Sequence, residues 1–123
     1  MSAELIDVFQ GIITLEVSGR LTPGEFAAIH HKITPELHAL GGARLLILAR
    51  TFMGWSEDGD WQNLYFQTAN DHLIQRMALV ADVRWEQFAM LFTARGMRPF
   101  PIAYFPSGHE EDARAWLHSP GSL

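Results

Sequence analysis

RLLILART, residues 44–51, sets five apolar residues in a row, Leu45 to Ala49, between arginines. Such a run reads as a strand that is apolar on both faces, and a strand of that kind lies inside a sheet covered on both sides. Two more stretches share the character, Met77 to Ala81 and Ile102 to Phe105. Helical patterns separate all three. Strands dry on both faces that alternate with helices predict a mostly parallel sheet.

Upstream of residue 44 the pattern changes. Leu5 to Phe9 and Ile12 to Ser18 are short β-rich runs joined by Gln10-Gly11, which suits a hairpin turn. In the second run Ile13, Leu15 and Val17 face one way and Thr14, Glu16 and Ser18 the other. Thr22-Pro23-Gly24-Glu25 then opens a helix. Thr22 can cap it, Pro23 needs no N–H partner in the first turn, and Glu25 can complete a capping box. Its apolar stripe is Phe26, Ile29, Ile33, Leu37 and Leu40. Pro35 inside this stretch is expected to kink or break it, and Gly41-Gly42 to end it.

Downstream, a helix is expected over about Asp58 to Leu73, with Trp61 on its inner stripe. Another begins at the cap Asp82, with Trp85, Phe88, Ala89 and Phe92 on one face. The last is expected to start from Ser107 and Glu110 and to bury Ala113, Trp116 and Leu117. The predicted architecture is a single α/β domain over residues 1–123, with element order ββαβαβαβα. The opening hairpin makes its five-stranded sheet mixed, though mostly parallel.

Composition narrows the function. The chain has 123 residues, 48% of them apolar and 19% charged, which fits a globular domain and not a disordered one. A net charge of -5 with nine scattered basic residues argues against nucleic acid as a partner. The absence of cysteine excludes disulfides, thiolate nucleophiles and zinc–thiolate sites. MSAELIDVFQ has no basic, then apolar, leader pattern, and Leu45 to Ala49 is far too short to span a bilayer. The expectation is a cytoplasmic protein that is not integral to a membrane.

Ligands of open α/β sheets bind outside the carboxyl ends of the parallel strands. Those ends are expected at the loop Arg50 to Gly59, at Ala81 to Arg84, and at Pro106 to Gly108. Phe52, Trp55, Trp61 and Trp85 would then line an apolar pocket, with Asp82 and Arg84 as its polar handles. Packing of the same aromatics between helix and sheet is the plainer reading. Neither GxxxxGK[ST] nor GxGxxG occurs, so no phosphate loop is read. His30, His31 and His38 share a helix, but no two are four apart as ligands on one face would be, and no metal or cofactor is expected. Ser56 and Ser107 precede helices without a G-x-S-x-G elbow, and Glu57, Asp58 and Asp60 suit a first helical turn. No catalytic set emerges, and a non-enzymatic protein is expected.

One resemblance runs through nearly the whole chain. V-S-G-x-L-T at Val17 to Thr22 leads into the capped helix, and R-L-L-I-L follows. F-x-G-W stands at Phe52 to Trp55, A-L-V-A-D-x-x-W-E at Ala78 to Glu86, and A-x-A-W-L at Ala113 to Leu117. This order resembles the SpoIIAA-like family of small bacterial proteins, related to the STAS (anti-anti-sigma) domains and in fold to CRAL-TRIO lipid-binding domains. The resemblance implies a mixed five-stranded sheet with helices packed on it and no established enzymatic activity. It also implies either a lipid-like apolar ligand or a regulatory protein partner. Anti-anti-sigma factors carry a phosphorylatable serine in a D-S-S-G-type motif, near the place of Ser56. Here the loop reads G-W-S-E-D-G-D, so the motif is absent and acids would repel a phosphate on Ser56. Met90 and Leu91 lie off the Trp85–Phe88–Phe92 stripe, so that helix is apolar over more than one face. Either a ligand cavity or a homodimer interface would account for it.

Overall fold

Strand β1 (Ala3–Phe9) turns through Gln10-Gly11 and pairs antiparallel with β2 (Ile12–Leu21). The computed structural model describes residues 3–56, 69–94 and 96–119. Helix α1 (Pro23–Leu40) carries the chain to β3 (Ala43–Trp55), which lies parallel to β2. β4 (Ile74–Ala81) adds parallel to β3, and β5 (Ile102–Pro106) parallel to β4. Between β4 and β5 lies the short helix α2 (Glu86–Phe92), and α3 (Glu110–His118) follows β5. The five-stranded sheet runs β1-β2-β3-β4-β5, mixed and mostly parallel as expected.

Both faces of the sheet are covered, which is why β3 reads as an unbroken apolar run. One face presents Ile13, Leu15, Leu45, Met77 and Leu79 to α1, whose Ile29, Ile33 and Leu37 are buried there, and to α2. The other presents Ile12, Leu46, Leu48, Ala78 and Val80 to Ala113 and Leu117 of α3. The division follows from the strand order. Crossovers of one hand that always advance to the next strand leave their helices on one face. Among the described helices, the one after the last strand alone lies on the other face.

Local signals account for the helix ends. The Glu25 amide donates to Thr22 Oγ1 at 3.2 Å, and Gly41 takes the left-handed conformation (φ 68°) that closes α1. Several expectations need correction. Helix α1 runs unbroken through Pro35, which sits on its exposed side. Ser107 does not cap α3: the helix is preceded by His109, and no side chain caps its first turn. The strand expected to end at Thr51 continues to Trp55 because β2 also continues, pairing Gly19 with Phe52 and Leu21 with Trp55. Phe52 and Trp55 are therefore strand residues. Phe88 is exposed and so leaves the buried stripe of its helix. Most of the helix expected over Asp58 to Leu73 lies outside the described residues; Asp71–Leu73 form one 3₁₀ turn.

Candidate functional site

The extra length of β3 carries an aromatic cluster. Phe52 and Trp55 meet edge to face with ring centres 4.8 Å apart. Trp85, from the 3₁₀ turn Val83–Trp85 that leads into α2, closes a triangle with them at 5.2 and 5.9 Å. Such edge-to-face contacts set the positive ring edge against the negative face of its neighbour. Phe92 of α2 lies 5.1 Å from Trp55 and 5.2 Å from Phe26 of α1, so the cluster bridges both helices.

Gly54 makes this packing possible. Its φ of +110° is closed to most side chains, and a Cβ there would stand 3.3 Å from the Trp85 indole. The glycine of F-x-G-W thus provides the seat for the tryptophan of D-x-x-W-E. The two motifs, about thirty residues apart in the chain, are halves of one arrangement.

Beneath the cluster, between the sheet, α1 and α2, lies an apolar cavity of about 120 Å³. Phe52, Trp55, Trp85 and Phe92 form part of its wall, and among the described residues His30 and Arg98 are its ionisable lining. His30 stacks on Phe26 at 4.1 Å. Burial, and secondarily the Arg98 charge, holds the imidazole down to about 4, so it is neutral at neutral pH. Arg98 forms a two-pronged ion pair with Asp71 at 2.7 and 3.0 Å and lies over the Phe100 ring. The cavity therefore offers a ligand hydrocarbon and aromatic surface, a neutral imidazole, and a cation already matched by a carboxylate. Among the described residues, the indole nitrogens of Trp55 and Trp85 are buried without an acceptor.

Of the residues singled out from the sequence, Phe52, Trp55 and Trp85 come together at this cavity. Trp61 lies outside the described residues, as do Glu57, Asp58 and Asp60. Asp82 and Arg84 do not line the cavity. Asp82 is exposed and caps the 3₁₀ turn by accepting from the Arg84 amide at 3.0 Å. Arg84 is exposed and covers the outer side of Trp85, 4.9 Å from the ring centre. Ser56 follows β3 directly, and its amide donates to the Leu21 carbonyl at 2.8 Å.

The polar lining comes from elsewhere. His30 stands four residues after Phe26 and three before Ile33, so the helical stripe itself would have placed it facing the core. Arg98 sits in the connection before β5 and has no periodic signal. Among the remaining described histidines, His38 meets Asn70 Oδ1 at 3.2 Å and His109 meets Asp112 at 2.9 Å. Among the described residues no three His, Asp or Glu side chains gather as a metal site would require, and no helix is long and apolar enough to cross a membrane.

The family model for SpoIIAA-like proteins matches residues 12–118. The chain is also similar to a crystal structure of an uncharacterized protein from the DUF3478 family with a SpoIIAA-like fold, from Shewanella loihica PV-4. That likeness has a TM-score of 0.64 at 19% identity and covers 94% of this chain and 91% of the other. At this identity the likeness is one of fold. No curated protein matches.

Proposed function

We propose, from the premise that this chain belongs to the SpoIIAA-like family, that it is a non-enzymatic cytoplasmic module which binds one small apolar molecule. The observation that supports this reading is the cavity of about 120 Å³ under Phe52, Trp55, Trp85 and Phe92. Its size limits the ligand. An engineered apolar cavity of about 150 Å³ stays dry and takes up benzene. The ligand buried here is therefore a single ring or a chain of a few carbons. A full-length acyl chain would have to run out past α2.

The test is a titration with benzene and with hexane, read by tryptophan fluorescence and by melting temperature. Both ligands should raise the melting temperature of the native chain. Ala89→Leu, which fills the cavity from α2, should remove the response while leaving the fold intact. A native chain indifferent to both hydrocarbons would count against the cavity as a binding site. Mass spectrometry of gently purified protein supplies the natural ligand, as extra native mass lost on denaturation.

A second reading has its own observation. Val83, Phe88, Leu91 and Met97 are 69%, 57%, 79% and 85% exposed, all on or beside α2. Exposed apolar side chains this frequent along one short segment suit a protein partner or a second copy, as in a STAS-type regulatory module.

A further inference from the structure

We propose that Asp71 sets the charge preference of the aromatic cavity: by holding the Arg98 guanidinium from outside, it makes the site select uncharged ligands and reject carboxylates of the same shape. The inference rests on the reading of the cavity as a binding site, and it names the class of ligand that the site accepts.

Arg98 is the one cation among the described residues of the cavity wall. Its charge reaches His30 on the same wall and helps to keep that imidazole neutral. An arginine set in an apolar wall is by itself a receptor for a carboxylate, because its planar fork matches two oxygens and the dry surroundings strengthen the attraction. In this chain the fork is already taken. Nε and Nη2 donate to Asp71 Oδ2 and Oδ1 at 3.0 and 2.7 Å, and Nη1 donates to the Thr93 carbonyl at 3.3 Å. The Phe100 ring covers the guanidinium at 4.8 Å. Both side chains of the pair are largely shielded from water, at 8% and 15% exposure, so salt screens their attraction little.

Position decides what the pair does. Asp71 belongs to the 3₁₀ turn before β4 and is not a residue of the wall, whereas Arg98, from the connection before β5, is one. The cavity therefore meets a cation whose charge is cancelled from behind. A carboxylate entering it would give up its water for a counter-ion already neutralised, with Asp71 across the guanidinium as a like charge. Removing an ion from water is far more costly than removing a neutral amide or a ring. An uncharged ligand meets no such barrier.

The experiment measures, by calorimetry at neutral pH, the binding of benzamide and of benzoate, alike in shape and different in charge. The native chain should bind benzamide at least about tenfold more tightly than benzoate. Asp71→Asn keeps the size of the side chain and removes its charge, so benzoate should gain at least about tenfold while benzamide changes little. Asp71→Glu retains the charge and should retain the rejection, and Arg98→Gln added to Asp71→Asn should remove the gain. Should Asp71→Asn not fold, the comparison of the two ligands on the native chain decides. Benzoate matching benzamide there would overturn the proposal while leaving the cavity a binding site. So would an Asp71→Asn variant that leaves benzoate binding unchanged, or one that strengthens both ligands alike. A native chain that binds neither benzamide nor benzene would overturn the cavity reading, and this proposal with it.

Discussion

His30 shows how one side chain ties the cavity to solution conditions. The folded chain holds its pKa near 4, against 6.5 for a free imidazole, through burial first and the Arg98 charge second. Between these values the unfolded chain takes up a proton that the folded chain refuses. The contribution is complete above pH 6.5 and is lost as the pH falls toward 4. It amounts to on the order of 3 kcal/mol across that window. Urea unfolding between pH 4 and 7 should therefore show a stability slope that flattens in His30→Leu. A variant with the wild-type slope would assign the effect to another group. At this scale the site was partly legible. Phe52, Trp55 and Trp85 could be named because large aromatics near strand ends are conspicuous. Asp82 and Arg84 stand at the carboxyl end of β4 beside Trp85 in the chain, whereas the polar lining is set by nearness in space, through α1 and the connection before β5.

At the scale of the element, helix α1 presents a local conflict that tertiary packing outweighs. Pro35 can give no N–H to the carbonyl of His31, yet the helix continues to Leu40. Ile29 and Ile33 before the proline, and Leu37 after it, are buried against the sheet at 5%, 1% and 0% exposure. Burial of three large side chains contributes several kcal/mol, more than the cost of one interior proline at about 3 kcal/mol. Thr34 Oγ1 also donates to the His30 carbonyl at 2.7 Å, in the same turn. Pro35→Ala should restore the missing bond and stabilise the fold by about 1–3 kcal/mol in urea unfolding. A neutral or destabilising result would mean that the helix is already relaxed around the proline. Strand β3 carries the opposite lesson. Arg50, Thr51 and Gly54 interrupt its apolar pattern, so its last residues read as loop. Pairing with β2, accommodated by irregular register near Ser18 and Arg20, keeps them in the sheet. Propensity weighs single residues, and it has no term for a partner strand that runs on.

For the molecule as a whole, the fold was legible because three short runs, Leu45 to Ala49, Met77 to Ala81 and Ile102 to Phe105, are apolar on both sides. That property has one simple explanation, a sheet between two layers. The outer surface of α2 carried no such constraint, and only coordinates separate Phe88, exposed, from Phe92, packed against the core. Leu91→Ser with Met97→Ser should leave the unfolding free energy within about 0.5 kcal/mol of wild type, because these side chains are 79% and 85% exposed. Sedimentation of the same variant should show any wild-type dimer dissociated. A loss of stability beyond that range would place the two side chains in contact with the rest of the chain.

The strand order β1-β2-β3-β4-β5 is also the order of synthesis. As the chain leaves the ribosome, each new strand meets a growing edge made by the strand just before it, and none must later be pushed between two already paired. The sheet can lengthen by one strand at a time, from amino to carboxyl end. Among the described helices α3 alone, the last to emerge, packs on the second face, so a nascent chain halted before Glu110 would carry a complete sheet without the cover that Ala113 and Leu117 give that side.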